Sequence, residues 1–266
     1  MKLLAFDTAT QRCSAALWLC GALSTRAVEQ PRGHGELLLP MIDELLRAGG
    51  VTLTDLDAIA FGRGPGAFTG LRLAASVAQG LAFGAGLPVL PVSDLAAVAQ
   101  QALAGAAAAV THVLVCQDAR MGEVYWGVFE RAGAGVRALG PEQVGAPRTL
   151  VPEALQPGAS KSGAFSPGAL QPVPSVPGPG SQSAWLGAGS GFEVYTDLAA
   201  RWRPLLAGID ATVLPDAAAI AHLAALAGRD AALPPRAALP VYVRDQVAVV
   251  PASLVAAEAS AAPSRN

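Results

Sequence analysis

The chain has 266 residues, 52% of them hydrophobic and 14% charged, enough apolar material for one large domain or two lobes with cores of their own. A formal net charge of -2, with lysine only at Lys2 and Lys161 and scattered arginines, argues against a chain that grips nucleic acid by itself through a basic stripe. Three cysteines, Cys13, Cys20 and Cys116, have neither CxxC nor other metal-ligand spacing, and fit a reducing cytoplasm.

Lys2–Asp7 predicts a strand and Cys13–Cys20 a second, joined by the polar turn "TATQR" into a hairpin that Ser24–Glu29 extends. Asp7 interrupts the opening "MKLLAFDTAT" before a signal-peptide core forms, so a cytoplasmic location is expected. "HGELLLPMIDELLRAGG" reads as a helix stopped at Gly49–Gly50. Asp57–Phe61 predicts a buried strand, and the glycine-rich turn after it leads into a helix capped by Thr69 and running to about Phe83. Pro88–Val92 follows as a strand and Asp94–Leu103 as a helix with Asp94 as its cap. Two uncharged stretches here reach membrane-spanning length. Gly84, Gly86 and Pro88 break the first, Gln100, Gln101 and His112 punctuate the second, and both read as buried soluble segments.

From about Val110 the pattern resets. "HVLVCQDARMGEVYWGVFER" predicts a hairpin, 133–145 another strand, "WLGAGSGF" a strand and turn, and Asp216–Ala227 a helix, with "ALPVYVRDQVA" after it. Sheet first and helices later, twice over, predicts a first lobe at 1–108 and a second at 109–245. A disordered Pro/Gly/Ser-rich insertion at 156–184 interrupts the second lobe, and a flexible tail occupies 246–266.

The glycine turn raises the question of phosphate binding. Its Gly70 is followed by Leu71 and Arg72 rather than by the lysine of a phosphate loop, and Ala67 breaks the dinucleotide pattern. The alternative is a turn whose Gly62, Gly64, Gly66 and Gly70 allow positive φ and close strand–helix packing. Asp7, Thr8 and Thr10 of "DTAT" are candidate nucleotide contacts, although turns favour these residue types anyway. His34, His112 and His222 are far apart, no metal constellation stands out, and "GAGSGF" lacks the spacing of a serine-hydrolase elbow. Asp118, Arg120 and Glu123 form a charge cluster that either stabilises its hairpin or faces a ligand or partner. The first two helices are apolar on two sides, so each is either internal or covered by a second partner.

"LAFDTAT", "GRGPGAFTGLRLAASVAQGLA" and "DARMGEVYW", in this order and at this spacing, resemble the bacterial TsaB (YeaZ) family. The likeness covers most of residues 1–130 and returns weakly at "WLGAGSGF" and "LPVYVRDQVA"; the Pro-rich insertion departs from it. The resemblance implies an α/β fold of the actin-like, Hsp70-like ATPase (ASKHA) type, two related lobes of mixed sheets flanked by helices. It implies a non-catalytic scaffold in making threonylcarbamoyladenosine beside the tRNA anticodon, paired with a TsaD-like paralogue and joined by a TsaE-like ATPase. Contact with tRNA would come only through that complex, and the chain alone would form homodimers. Against the HxxxH metal pair of TsaD-like proteins, this chain places Asp94 and Val98, and valine cannot ligate a metal. By helical position, the implied partner face takes in His34, Leu38, Met41, Ile42, Leu45, Arg72, Ser76, Gln79 and Phe83. ATP or ADP near that interface is the cofactor reading. A metal-independent peptidase and a nucleotide-binding regulator remain as alternatives.

Overall fold

The computed structural model describes residues 1–151 and 184–244. The expected insertion, Ala184 aside, and the expected tail lie outside the described residues.

β1 (Lys2–Asp7), β2 (Arg12–Leu19) and β3 (Ala22–Glu29) form an antiparallel meander, and β4 (Ala58–Gly62) and β5 (Val89–Val92) add to β1 in parallel. The sheet order is β3-β2-β1-β4-β5. In the second sheet, β6 (His112–Asp118), β7 (Val124–Ala132) and β8 (Gly135–Ala138) make the meander. β10 (Trp185–Ala188) and β11 (Gly208–Asp210) join β6 in parallel, and the short β9 (Gln143–Gly145) pairs with β7. Read from its meander edge, the order is β8-β7-β6-β10-β11, strand for strand that of the first sheet. Two mixed sheets of one topology, each flanked by helices, make this the actin-like ATPase fold.

The strand alternation distributes the core. Leu4 and Phe6 of β1 point to one face, where they meet Leu38, Ile42 and Leu45 of α1 (His34–Gly49) and Ala74, Ala78 and Ala82 of α2 (Phe68–Ala85). Each fully buried Leu or Phe here contributes roughly 1.5–3 kcal/mol. Leu3 and Ala5 point to the opposite face. The second sheet's outer face carries α4 (Gly191–Val194) and α5 (Thr196–Trp202), with Trp202 buried and its indole N–H donating to the Leu150 carbonyl at 3.2 Å.

The two remaining helices change places. α3 (Asp94–Gly105) leaves the first sheet but packs Leu95, Val98, Ala99 and Leu103 on the second, against Val113, Val115 and Phe129. α6 (Ala217–Ala227) leaves the second sheet and packs Ile220, Ala221 and Ala224 on the first, against Leu3, Ala5 and Ala60. Ala217 N–H donates to Ser14 Oγ at 2.9 Å, tying the start of α6 to β2. The mostly small side chains in this layer let α6 lie close to the sheet.

Several boundaries differ from expectation. α2 starts at Phe68 with Ala67 at its N-cap, so Thr69 lies inside the helix. Ser93 caps α3, its Oγ accepting from Ala96 N–H at 3.0 Å, and Asp94 is the first helical residue. Serine reaches the backbone there because the Asp94 carboxyl is turned toward the glycine turn.

Candidate functional site

The glycine turn sits where β4 hands the chain to α2, directly under the β1–β2 turn. A Cβ at Gly70 would overlap the Thr8 carbonyl oxygen, and one at Gly66 would lie 2.7 Å from both Ala9 Cβ and Ala9 O. A Cβ at Gly62 would overlap the carboxyls of Asp7 and Asp94. Thr8 Oγ1 donates to Gly70 O at 2.7 Å and Ala67 N–H to Ala9 O at 2.8 Å. Gly66 and Gly70 are therefore required by close approach of the β1–β2 turn, and Gly62 by the two carboxyls. Gly64, at φ 113, is held besides by the carbonyl of Val241, 2.6 Å from where its Cβ would stand.

Beneath Gly62 lies a buried carboxyl pair. Asp7 Oδ1 accepts from Ala9 N–H at 3.0 Å, and Asp94 Oδ2 accepts a short bond from Gly64 N–H. Both side chains are wholly removed from solvent and face one another. Burial pushes Asp7 up to about 6, partly offset by the bond from Asp94. Burial, then the charge of Asp7, pushes Asp94 well above the ordinary carboxylate range. Asp7 Oδ2 and Asp94 Oδ1 are buried with no hydrogen-bond partner, and the same burial biases Asp94 toward its neutral form.

The second lobe repeats the turn with a different environment. Asp118 Oδ1 accepts from Arg120 N–H at 2.9 Å, the same bond two residues ahead that Asp7 makes to Ala9, and also from Tyr195 Oη at 3.1 Å. Ser190 Oγ donates to Gln117 Oε1 at 2.6 Å and accepts from Asp118 N–H at 3.1 Å. Glu123 pairs across to Arg244 and Asp118 back to Arg120 at 3.4 Å, so the charge cluster joins its own hairpin to a distant segment.

Between the two turns opens a cleft of about 950 Å³, lined from the first lobe by Thr10, Gln11 and Glu29 and from the second by Asp118, Tyr125 and Glu193. Its carboxylates, Glu29, Asp118 and Glu193, oppose only Arg120 and Arg244, each already paired with an acid. The fold family implies a nucleotide here, and these residues do not fit its phosphates. Of the glycine turn's N–H groups, that of Ala67 is taken by Ala9 O and that of Gly64 by Asp94, and the lining charge is of the wrong sign. Of the candidate nucleotide contacts, Thr10 lines the cleft; Asp7 and Thr8 are buried away from it because they pack the glycine turn. The metal position does not fit either: Asp94 faces Asp7, and Val98 is buried against the second sheet. Among the described residues no three His, Cys, Asp or Glu side chains converge.

The candidate partner residues divide. Arg72, Ser76, Gln79 and Phe83 lie exposed along α2, with Phe83 81% exposed and open space beside Gly80. His34 is half-buried, its Nε2 2.9 Å from Gln30 O. Leu38, Met41, Ile42 and Leu45 are corrected to core positions: they form the buried side of α1 against the sheet, and no partner reaches them while the helix is in place. Helical spacing identified a face of α1 but not the direction in which it points. The segment 241–244, which sequence reasoning left without a role, lines the cleft; its signal was the alternation of Val241 and Val243 with Tyr242 and Arg244.

A family model described as "TsaD: tRNA N6-adenosine threonylcarbamoyltransferase" matches residues 27–251. The tRNA threonylcarbamoyladenosine biosynthesis protein TsaB of Escherichia coli (strain K12) is 48% identical over 136 residues, 51% of this chain and 58% of that protein. Its Haemophilus influenzae counterpart is 50% identical over 126 residues, 47% of this chain and 52% of that protein. The chain spans only about half the length of these curated relatives. The solved structure of YeaZ from Pseudomonas aeruginosa is 36% identical with a TM-score of 0.68, covering 91% of this chain and 99% of that one. A second solved Pseudomonas aeruginosa protein, described as similar to peptidase YeaZ, is 38% identical with a TM-score of 0.73 at the same coverage. With a family model matched over most of its length and relatives named TsaB in sequence and YeaZ in structure, the chain belongs to the TsaD-like family and, within it, to the TsaB (YeaZ) group.

Proposed function

We propose that this chain is a non-catalytic scaffold subunit for threonylcarbamoyl transfer to the adenosine beside the tRNA anticodon, binding a TsaD-like paralogue, with a TsaE-like ATPase joining the pair. The observation that carries the reading is the bare stripe on α2. Arg72, Ser76, Gln79, Gly80 and Phe83 recur at helical spacing on the side turned from the sheet. A large exposed aromatic beside a glycine and a serine suits close packing against another helix, and this face contributes to an interface whose ordinary size is roughly 800 Å² per partner. In the free chain the same stripe serves homodimerisation about a two-fold axis. The occupied glycine turn and the unsuitable metal position support a structural rather than catalytic role.

The test is threonylcarbamoyladenosine formation on tRNA by the TsaD-like, TsaE-like and donor-making enzymes, with and without this chain. Modification depends on the chain under this reading, and full modification without it overturns the proposal. Phe83→Asp and Gly80→Trp alter exposed positions, so each changes the melting free energy of the free chain by less than about 0.5–1 kcal/mol. Each weakens capture of the TsaD-like partner at least about tenfold, on the scale of an interface hot spot.

A further inference from the structure

The segment 241–244 crosses from one lobe to the other at the mouth of the cleft. On the first lobe Val241 N–H donates to Arg63 O at 2.7 Å, and its own carbonyl occupies the space left by Gly64. Tyr242 lies over Phe68 with ring centroids 5.3 Å apart, and its hydroxyl accepts from Arg72 Nε at 3.1 Å. The Arg72 guanidinium in turn stands 3.8 Å from the Phe68 ring centroid, so cation, ring and ring form one stack on the start of α2. On the second lobe Arg244 donates to Ala119 O at 3.0 Å, pairs with Glu123, and lies 5.9 Å from the Tyr125 ring centroid. Its guanidinium is largely buried, whereas Phe68, Arg72 and Tyr242 remain accessible.

We propose that Val241–Arg244 is a latch that holds the two lobes together across the cleft, with its release point on the exposed start of α2 at Phe68 and Arg72. One anchor is buried and charge-assisted; the other is a solvent-facing stack. A molecule that takes Arg72 or Phe68 away from Tyr242 leaves only Val241 to hold the strap on the first lobe and loosens its hold on the β6–β7 turn. The stripe on α2 and the cleft are thereby coupled through four residues, with no change required in either sheet.

Hydrogen exchange on the full chain tests this. The amides to follow are Ala119 and Glu123 in the β6–β7 turn, bonded to Glu123 O at 2.9 Å and Arg120 O at 3.1 Å. Tyr242→Ala alters only the first-lobe anchor, yet the latch requires exchange at Ala119 and Glu123 to rise about tenfold, with the β1 and β4 amides unchanged. Arg244→Ala produces the same rise, and the double variant is no faster than either single one, because the two anchors act as a unit. Arg72→Ala, at an exposed position that leaves the fold intact, gives a rise of about threefold and carries the test should Tyr242→Ala fail to fold. Faster exchange at Val241 alone, with Ala119 and Glu123 at the wild-type rate in both Tyr242→Ala and Arg72→Ala, overturns the proposal.

Discussion

The two lobes share a strand order and a turn, and what differs is what each turn packs against. At the end of β1, Asp7 accepts from the amide two residues ahead and is then buried against Asp94 by the glycine turn pressed over it. At the end of β6, Asp118 makes the same bond but stays at the rim of the cleft, with Tyr195 and Arg120 as partners. After β4 the first lobe builds the 18-residue α2 with a bare outer stripe; after β10 the second builds two short helices, α4 and α5, of 4 and 7 residues. One strand order thus yields a lobe that presents a helix and a lobe that presents polar groups to the cleft. A turn's sequence does not set its chemistry; the burial around it does.

Substitution at the glycines breaks this comparison most directly. Gly70→Ala drives a Cβ into the Thr8 carbonyl, backbone against backbone, and costs about 3 kcal/mol. In the second lobe, Gly191→Ala places a Cβ 2.9 Å from Cys116 O, a carbonyl within β6 rather than in the turn after it, and costs about 1 kcal/mol. Denaturant midpoints of the two variants measure the gap, and equal losses would remove the distinction between a sealed and an open turn.

The buried pair gives the next largest effect, and it depends on pH. The folded pKa of Asp7, about 6, lies above its ordinary value of 3.8, so the unfolded chain releases the proton first. Stability is therefore full below about pH 4 and falls as pH rises through 6, and Asp94, raised well above the ordinary carboxylate range, carries the decline further. Asp7→Asn keeps an acceptor for Ala9 and removes the Asp7 share of the decline, on the order of 2 kcal/mol between about pH 4 and 7, while the share of buried Asp94 remains. Melting curves across that range check it; a wild-type profile parallel to that of the variant would contradict the raised carboxyl of Asp7. The smallest effect belongs to Asp118→Asn. It retains the acceptor for Arg120 N–H and loses only a pair whose arginine is 81% exposed, changing stability by less than about 0.5 kcal/mol.

Much of this frame was legible in the sequence because it rests on local patterns. The alternation in β1 and β2, the hairpin at 112–132 and the stop at Gly50, left-handed at φ 63, are all short-range signals. α4, α5 and β11 were missed because elements of three to seven residues contain too few repeats to establish a period. The site was harder to read. Asp7 and Asp94 meet only because β1 and β4 are neighbours and α3 starts beside them, and no spacing encodes that. Arg72 and Tyr242 are 170 positions apart. Leu38 and Phe83 illustrate the limit within a helix: both lie on apolar sides, and only the sheet decides which is core and which is surface.

The exchange of α3 and α6 between lobes has a consequence for biosynthesis. β1, β2 and β4 leave the ribosome early, but the helix that covers their inner face is encoded at 217–227, after nearly all of the second lobe. The first lobe cannot finish its core while the second is being made, and vectorial domain-by-domain folding, which usually shelters nascent apolar surface, is closed to this chain. Contacts such as that between Ser14 and Ala217, 203 residues apart, place it among slow-folding, high-contact-order topologies. A nascent chain halted between α3 and β6 carries one bare sheet face and one orphaned helix, the kind of surface that chaperones recognise.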